Sequence, residues 1–592
     1  MNLFNSSRSM HLAGIGLTML CTSQALPQST FSIVGLPDTQ VYSELYPEIF
    51  AAQTAWIIEQ KFIRDIRYVS HYGDIVENGD NIMEWLIGDA AMNTLDIDGI
   101  PYGVNAGNHD VTASGFPGQS YMPENYLEFF GPWRFEGRDW FKGSSPSGMS
   151  SYQMISAGGL DFLMLNLECD TPLRELEWAQ GVLDQNRDKP VFMTTHRYMQ
   201  DSEDYTADIP IIGSGRYPSA WYVFENVWTP DGIQSNDLFN WFVRRNPNIF
   251  MVNCGHFSEE YRQQSTNVEG NVIHEVLADY QSDASGGNGF LRIMNFNTSV
   301  GTIDVQSYSP WIDEFYTEDE SRFILDVDFQ NYRTDEGVSV FHDGINGYNG
   351  TRDTWIDEAE PDTSYGGDPT RDSDDDTTES IFTDYRGQAL IRFQDIVGNQ
   401  EDGRIPDSSK VSRAILSLEI AEDIDNPFFN PIFEVWQVTR PWEESSTWNS
   451  LDNGLTPDQD LGQLLGTFEG DNVPNSNTLR RIDITSAVQG WVNGEDNFGI
   501  AILPEIITSN DDGISIWTRE NNNPLLRPTL EVWFDPGTPS NPADLNGDGR
   551  VDGADLSQVL ADWAATDSPA DINGDGLVDG ADLALVLIAW TV

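Results

Sequence analysis

The sequence predicts three folded parts in series: an α/β layered domain, an all-β sandwich (jelly-roll-like), and a small α-helical unit built on calcium loops. Three observations carry this. Strand-like and helix-like stretches alternate over residues 31–300. After about residue 333, short strand runs separated by Gly, Asn, Asp and Thr replace helical periodicity. Finally, ADLNGDGRVDGADL from Ala543 returns as ADINGDGLVDGADL from Ala570.

The 592 residues allow about three to five domains. With 39% hydrophobic residues and 18 Trp, the chain can pack cores and is not a disordered polymer. The formal charge is −64 and only four lysines occur, Lys61, Lys142, Lys189 and Lys410. Such a field repels phosphate backbones, which excludes nucleic-acid binding by charge. It suits a solvated surface in a salty or calcium-rich exterior.

The first 25 residues read as a secretory signal: Arg8, an apolar stretch from Leu12 to Cys21, and a Ser23-Gln24-Ala25 cleavage site. The stretch is too short to span a bilayer, and no later run approaches 18 apolar residues, so no transmembrane segment is expected. The expected location is secreted, at the cell surface, outside the cell or in the periplasm. Cys169 and Cys254 remain after cleavage and are expected as two buried thiols, with a disulfide as the alternative that secretion permits.

Residues 26–333 form the first expected domain. Strands are predicted at Phe31–Val34, Ile66–Val69, Tyr102–Asn105, Phe162–Leu167, Val191–Thr194 and Ile249–Asn253. Helices are predicted at Ile49–Phe62, Glu84–Asn93 and Leu173–Arg187. Polar residues follow several strands: Asp38, Gly73-Asp74, Gly107-Asn108-His109-Asp110, Thr195-His196 and Gly255-His256. Loops beyond strand C-termini build the site in open α/β sheets. Three of only seven histidines, His109, His196 and His256, fall in this series.

The ordered blocks Asp38-Thr39-Gln40, Gly73-Asp74, Gly107-Asn108-His109-Asp110, His196 and Gly255-His256 resemble calcineurin-like metallophosphoesterases, here a DxQ variant. The resemblance implies an α/β metallophosphoesterase sandwich holding two divalent ions (Mn, Zn, Fe or Mg), with a phosphoester as substrate. Two such ions would activate a hydroxide and clamp the phosphate. One ion would take Asp74, Asn108, His196 and His256. The other would take Asp38, Asp74, Gln40 and Ser258. His109 would act on the leaving group, oriented by Asp110. Gln40 and Ser258 stand where the family has imidazoles, so that position is expected to be oxygen-rich and to favour a hard ion. Asp279 or Gln281 are candidates to approach it, against an ordinary strand-end turn. The alternative is a non-catalytic extracellular glycan-binding or matrix protein whose first domain is degenerate.

Residues 334–535 are the expected β-sandwich. Gly347–Asp353, Ala389–Phe393, Thr447-Trp448-Asn449, Gln489-Gly490-Trp491 and Arg527–Leu530 resemble DNRLRE-type modules, some relatives of which bind acidic polysaccharides. Trp355, Trp436, Trp442, Trp448, Trp491 and Trp517 are candidates for sugar stacking or for the core.

A Pro/Gly-rich linker over 536–543 precedes the repeat. Asp544, Asn546, Asp548, the Arg550 carbonyl, Asp552 and Asp555 fall at positions 1, 3, 5, 7, 9 and 12 of a calcium loop. Asp571, Asn573, Asp575, Leu577, Asp579 and Asp582 repeat them. Over 544–592 this resembles a type I dockerin, which implies two bound Ca ions and a cohesin-like or cell-surface partner. Gly553-Ala554 and Gly580-Ala581 stand where that family often has hydroxyl pairs.

Overall fold

A computed structural model describes residues 29–115, 119–200, 215–216, 229–332, 336–366, 380–383, 387–420, 432–469, 478–504, 514–535, 543, 545–546, 551–566 and 568–590. The signal segment, most of the linker, Asp544, Asp548 and Arg550 lie outside these residues.

The N-terminal part is four-layered. One seven-stranded sheet runs in the order Glu314–Phe315, Thr302–Ser309, Leu291–Asn297, Thr30–Leu36, Ile66–His71, Tyr102–Gly103, with Arg322–Asp326 also paired to Thr302–Ser309. The other runs Glu259–Thr266, Val272–Asp279, Ile249–Gly255, Val191–Arg197, Leu160–Asn166, Ser151–Ala157, Phe141–Ser144. The first sheet is parallel at its Tyr102–Gly103 end and antiparallel toward the other, whereas the second has a parallel centre and antiparallel edges.

Side-chain alternation explains why these strands stack. In Leu160–Asn166, Phe162 and Met164 face the other sheet, joining Phe31, Ile33, Phe250 and Phe296. Leu163 and Leu165 face outward onto Leu176 and Val182 of helix Leu173–Gln185. Strands covered on both faces read as continuous apolar runs. The outer face of the first sheet is covered likewise by helices Pro47–Gln60 and Ile82–Asp98, through Ile49, Phe50, Ile57, Trp85 and Met92. Asn81 caps the second of these, accepting from the Met83 amide, and Gly99 ends it in the left-handed region.

The helix predicted to Phe62 stops at Gln60, and Phe62 is 89% exposed. Only Tyr102–Gly103 of the predicted 102–105 strand pairs, and the antiparallel strands after Gly255 escaped the periodicity argument. Cys169 and Cys254 are both free and buried. Among the described residues no helix is long and apolar enough to cross a membrane.

The following segment is a sandwich of a six-stranded and a five-stranded antiparallel sheet around one core, with Phe341, Ala389, Leu416, Phe433, Ile502 and Val532 among its residues. Helix Thr485–Val492 interrupts it and inserts Val488 and Trp491 into that core. Trp442 and Trp491 are thus core residues, 2% and 4% exposed, and not a stacking face. Trp355 stacks on Tyr365 at 3.9 Å and is partly open. The sandwich meets the α/β part through polar contacts. Arg245 donates to the Glu419 carboxylate at 2.7 Å, the Asn346 amide donates to the Gly181 carbonyl at 2.9 Å, and Arg187 pairs with Glu531.

The repeat forms helices Gly553–Ala561 and Gly580–Ile588. Their shared core pairs Ala543 with Ala570, Val551 with Val578 and Val559 with Val586, following the sequence period.

Candidate metal centre

The strand ends at one edge of the two sheets bring the predicted residues together. Asp38 follows Thr30–Leu36, Asp74 follows Ile66–His71, His196 ends Val191–Arg197, and His256 follows Ile249–Gly255. Asp38, Asp74 and His256 all adopt positive φ (36°, 51° and 77°), a costly backbone for non-glycine residues. Gly107 has no room for a side chain: a Cβ there would overlap the Asp74 carboxylate.

The Asp74, His196 and His256 ligand atoms lie within 4.8 Å of one another. His196 Nε2 is 3.2 Å from Asp74 Oδ2, 3.0 Å from Asn108 Oδ1 and 3.2 Å from His256 Nδ1. Asn108 Oδ1 is 2.7 Å from His256 Nδ1. The outward partners fix what points inward. His196 Nδ1–H donates to the Tyr72 carbonyl at 2.8 Å, so in the neutral ring Nε2 carries a lone pair. The Asn108 amide nitrogen donates to the Gly115 carbonyl at 2.9 Å, so its oxygen faces the centre. Lone pairs of a carboxylate, an amide and the His196 imidazole therefore converge with His256 Nδ1 beside them, which is the chemistry of a cation site.

Asp38 is 1% exposed. Its Oδ1 accepts from the His256 amide at 3.0 Å, while Oδ2 is buried without a hydrogen-bond partner. Burial, then Asp279 and Asp74, push its carboxyl well above the usual range. Burial also opposes ionisation of Asp74, but His196 and His109 override it and hold its carboxyl below that range. Burial and His196 keep His256 well below the ordinary imidazole range. Gln40 is fully buried and contacts both Asp74 and Gln281. Ser258 Oγ turns elsewhere, to Ser282 Oγ at 2.6 Å and Asp279 Oδ2 at 3.4 Å.

His109 sits beside this group. Its amide donates to Asp74 Oδ1 at 2.9 Å, and its Nδ1 donates to the Glu77 carbonyl at 2.7 Å with the Glu77 carboxylate at 3.7 Å. Burial opposes its protonation; Asp74 and Glu77 outweigh this and raise its pKa. The expected partner, Asp110, does a different job. Its carboxylate accepts the Ile75, Val76 and Gly107 amides at 2.8, 3.1 and 2.9 Å, tying together the loops that carry Asp74 and Asn108. The group that orients His109 is Glu77, three residues past Asp74, which sequence reasoning missed. His71 bonds Thr39 and the Gly73 amide and is a packed strand histidine. A cleft lined by Ser258, Asp279, Tyr280, Ser282, Tyr316 and Glu318 opens beside the centre.

In the repeat, Asp555 and Asp582 are buried caps. Asp582 accepts the Ile572, Asn573 and Asp579 amides at 2.8, 3.1 and 2.8 Å, and Asp555 does the same for Leu545, Asn546 and Asp552 at 2.8, 3.2 and 2.9 Å. Asp571 accepts from the Asp575 amide at 3.2 Å, and Asn573 and Asp575 accept from the Asp575 and Leu577 amides at 2.8 and 3.0 Å. Asp552 and Asp579 each cap the following helix.

Comparison with known proteins adds the following. Residues 345–532 match the model of carbohydrate-binding module family 96. The chain is 30% identical over 311 residues to YvnB, an uncharacterized protein of Bacillus subtilis (strain 168), a match covering 50% of this chain and 22% of that one. The chain thus spans about a fifth of that relative's length. Among solved structures, it is similar to a purple acid phosphatase from yellow lupin (Lupinus luteus) seeds, with 12% identity over 52% of this chain and 56% of that one and a TM-score of 0.34. It is also similar to a dimetal phosphatase from Danio rerio, with 12% identity over 49% of this chain and 99% of that one and a TM-score of 0.28.

Proposed function

We propose that the α/β part is a metal-dependent phosphoesterase of a secreted protein. The observation that carries this is the convergence of Asp74 Oδ2, Asn108 Oδ1, His196 Nε2 and His256 Nδ1, with the outward nitrogens of His196 and Asn108 already committed to carbonyls. The buried, partnerless Asp38 Oδ2 fits a neighbouring second cation. Bound divalent ions would supply charge neutralisation at a phosphoryl group and acidify the attacking water.

The chain's own contribution is positional and protic. Asp110 fixes the two loops that aim Asp74 and Asn108. His109, held through Nδ1 by Glu77, keeps Nε2 for the leaving-group oxygen. Against burial, Asp74 and Glu77 raise its pKa, which favours the protonated form a general acid needs.

The family match over residues 345–532 supports polysaccharide binding by the sandwich, and the repeat supports two Ca ions and docking to a cohesin-like or cell-surface partner. The second reading, a glycan-binding protein with a silent first domain, is favoured by Ser258 turning away from the centre.

The test is hydrolysis of p-nitrophenyl phosphate and bis(p-nitrophenyl) phosphate by the full chain with Mn, Zn, Fe or Mg. Wild type should turn over one of them, and His109→Ala should be about 10²–10⁴-fold slower. Equal rates would favour the second reading.

A further inference from the structure

We propose that Gln281 completes a second, oxygen-only cation position, in the role that the sequence offered to Ser258. The inference rests on the phosphoesterase reading and deepens it.

Strand Val272–Asp279 runs parallel to Ile249–Gly255 and ends at the same sheet edge. Gln281, two residues past its end, is pinned there. Its amide donates to Asp279 Oδ1 at 2.8 Å, and its Nε2 donates to Asp279 Oδ2 at 2.8 Å and to the His256 carbonyl at 3.4 Å. Both side-chain hydrogens are used, and Oε1 is left against the Gln40 amide.

The orientation of Gln40 follows from its neighbours. With Nε2 donating to the main-chain carbonyls of Asp38 and Asp74, each at 3.2 Å, its hydrogens are also used. Its oxygen then lies against Gln281 Oε1 and 3.3 Å from Asp74 Oδ2. In that orientation three oxygens meet with no hydrogen between them, those of Gln40 and Asp74 buried and that of Gln281 half-buried, and each unmet acceptor is costly. Asp38 Oδ2, also buried, lacks a hydrogen-bond partner as well.

A cation placed among them would satisfy these acceptors. Two carboxylates and two amide carbonyls offer no nitrogen and no sulfur, so the position suits a hard ion such as Mg, Mn or Ca better than Zn. Ser258 is not needed: its hydroxyl is spent on Ser282 and Asp279. Asp279 acts behind Gln281, holding its amide in place.

The test uses crystals of the full chain soaked in MnCl₂ and read by anomalous scattering. Wild type should show two peaks in the cleft. Gln281→Leu should keep the peak at Asn108, His196 and His256 and lose the other. Gln281→Glu guards against misfolding of the Leu variant. At a Mn concentration that half-fills the second peak in wild type, the added charge should bring it to full occupancy. Two peaks of wild-type occupancy in Gln281→Leu, or a weaker second peak in Gln281→Glu, would overturn the role of Gln281 and leave the phosphoesterase reading intact. No peak in the wild-type cleft would overturn both.

Discussion

Replacing Glu168 with Gln should remove that residue's share of the pH sensitivity of the α/β part. Glu168 lies two residues past strand Leu160–Asn166 and is completely buried. Its Oε2 accepts from Tyr121 Oη at 3.0 Å and Thr229 Oγ1 at 3.4 Å, while Oε1 has no hydrogen bond and only a distant Arg174 at 4.0 Å. Glu175 is buried nearby, with one oxygen accepting from Ser147 and the other unpartnered. Burial first, then Glu175, push the Glu168 carboxyl up to about 8. A folded-state pKa above the unfolded value contributes stability that is full below the unfolded pKa and is lost as pH rises through the folded one. The window therefore runs from the ordinary glutamate range near 4.5 to about 8. At about 1.4 kcal/mol per unit, the full loss is at most about 5 kcal/mol, and about 3 kcal/mol of it falls between about pH 5.5 and 8. Glutamine mimics the protonated acid and cannot ionise. Urea unfolding read by pulse proteolysis at several pH values should show the variant gaining on wild type by about 3 kcal/mol over that range. A stability difference that stays constant with pH would refute the argument. Other buried carboxyls, such as Asp279, act equally in both proteins and cancel.

Three further outcomes are expected. Glu531→Leu takes the carboxylate from Arg187, whose side chain is 5% exposed at the junction of the two large parts and which retains Asn246 Oδ1, and from Arg481, which retains Glu269; it should cost about 3–5 kcal/mol, and Arg187→Met in the same chain should recover part of it, as denaturant melts will show. Gly115 has φ +67° and lies against the His109 ring, so Gly115→Ala should displace the imidazole and lower kcat about 10²-fold with a smaller change in KM, measured on the phosphoester that wild type hydrolyses. Asp582→Ala removes the carboxylate that accepts from three backbone amides of the second loop and should abolish the far-UV helicity gained by fragment 540–592 on adding Ca, whereas Leu577→Ala, acting only through a carbonyl, should keep it.

The sequence made the order of the centre legible because strand ends at one sheet edge converge by topology. Once Thr30–Leu36, Ile66–His71, Val191–Arg197 and Ile249–Gly255 are parallel neighbours or lie in facing sheets, Asp38, Asp74, His196 and His256 have few other places to be. What escaped was whatever a turn decides. Glu77 reaches His109 through the path of the loop after Asp74, a residue at positive φ. Asp110 faces three amides instead of its neighbour's ring, since a carboxylate beside converging N–H groups is held more firmly by them than by one imidazole. Neither choice has a periodicity to read.

The same distinction explains the second position. Linear comparison places Ser258 there, because it stands two residues after His256 on one strand end. In space, the bend at His256 and Glu259 (φ 77° and 134°) carries Ser258 toward Ser282, while the adjacent parallel strand delivers Gln281 to the gap. A lost imidazole need not leave a lost site when a neighbouring strand end supplies an oxygen. Such an exchange would alter the ion, because replacing nitrogen donors by amide carbonyls weakens the hold on Zn and leaves hard cations competitive. Oxygen ligands at the second position would put its chemistry under the control of the same hard ions that the proposed C-terminal calcium loops would bind.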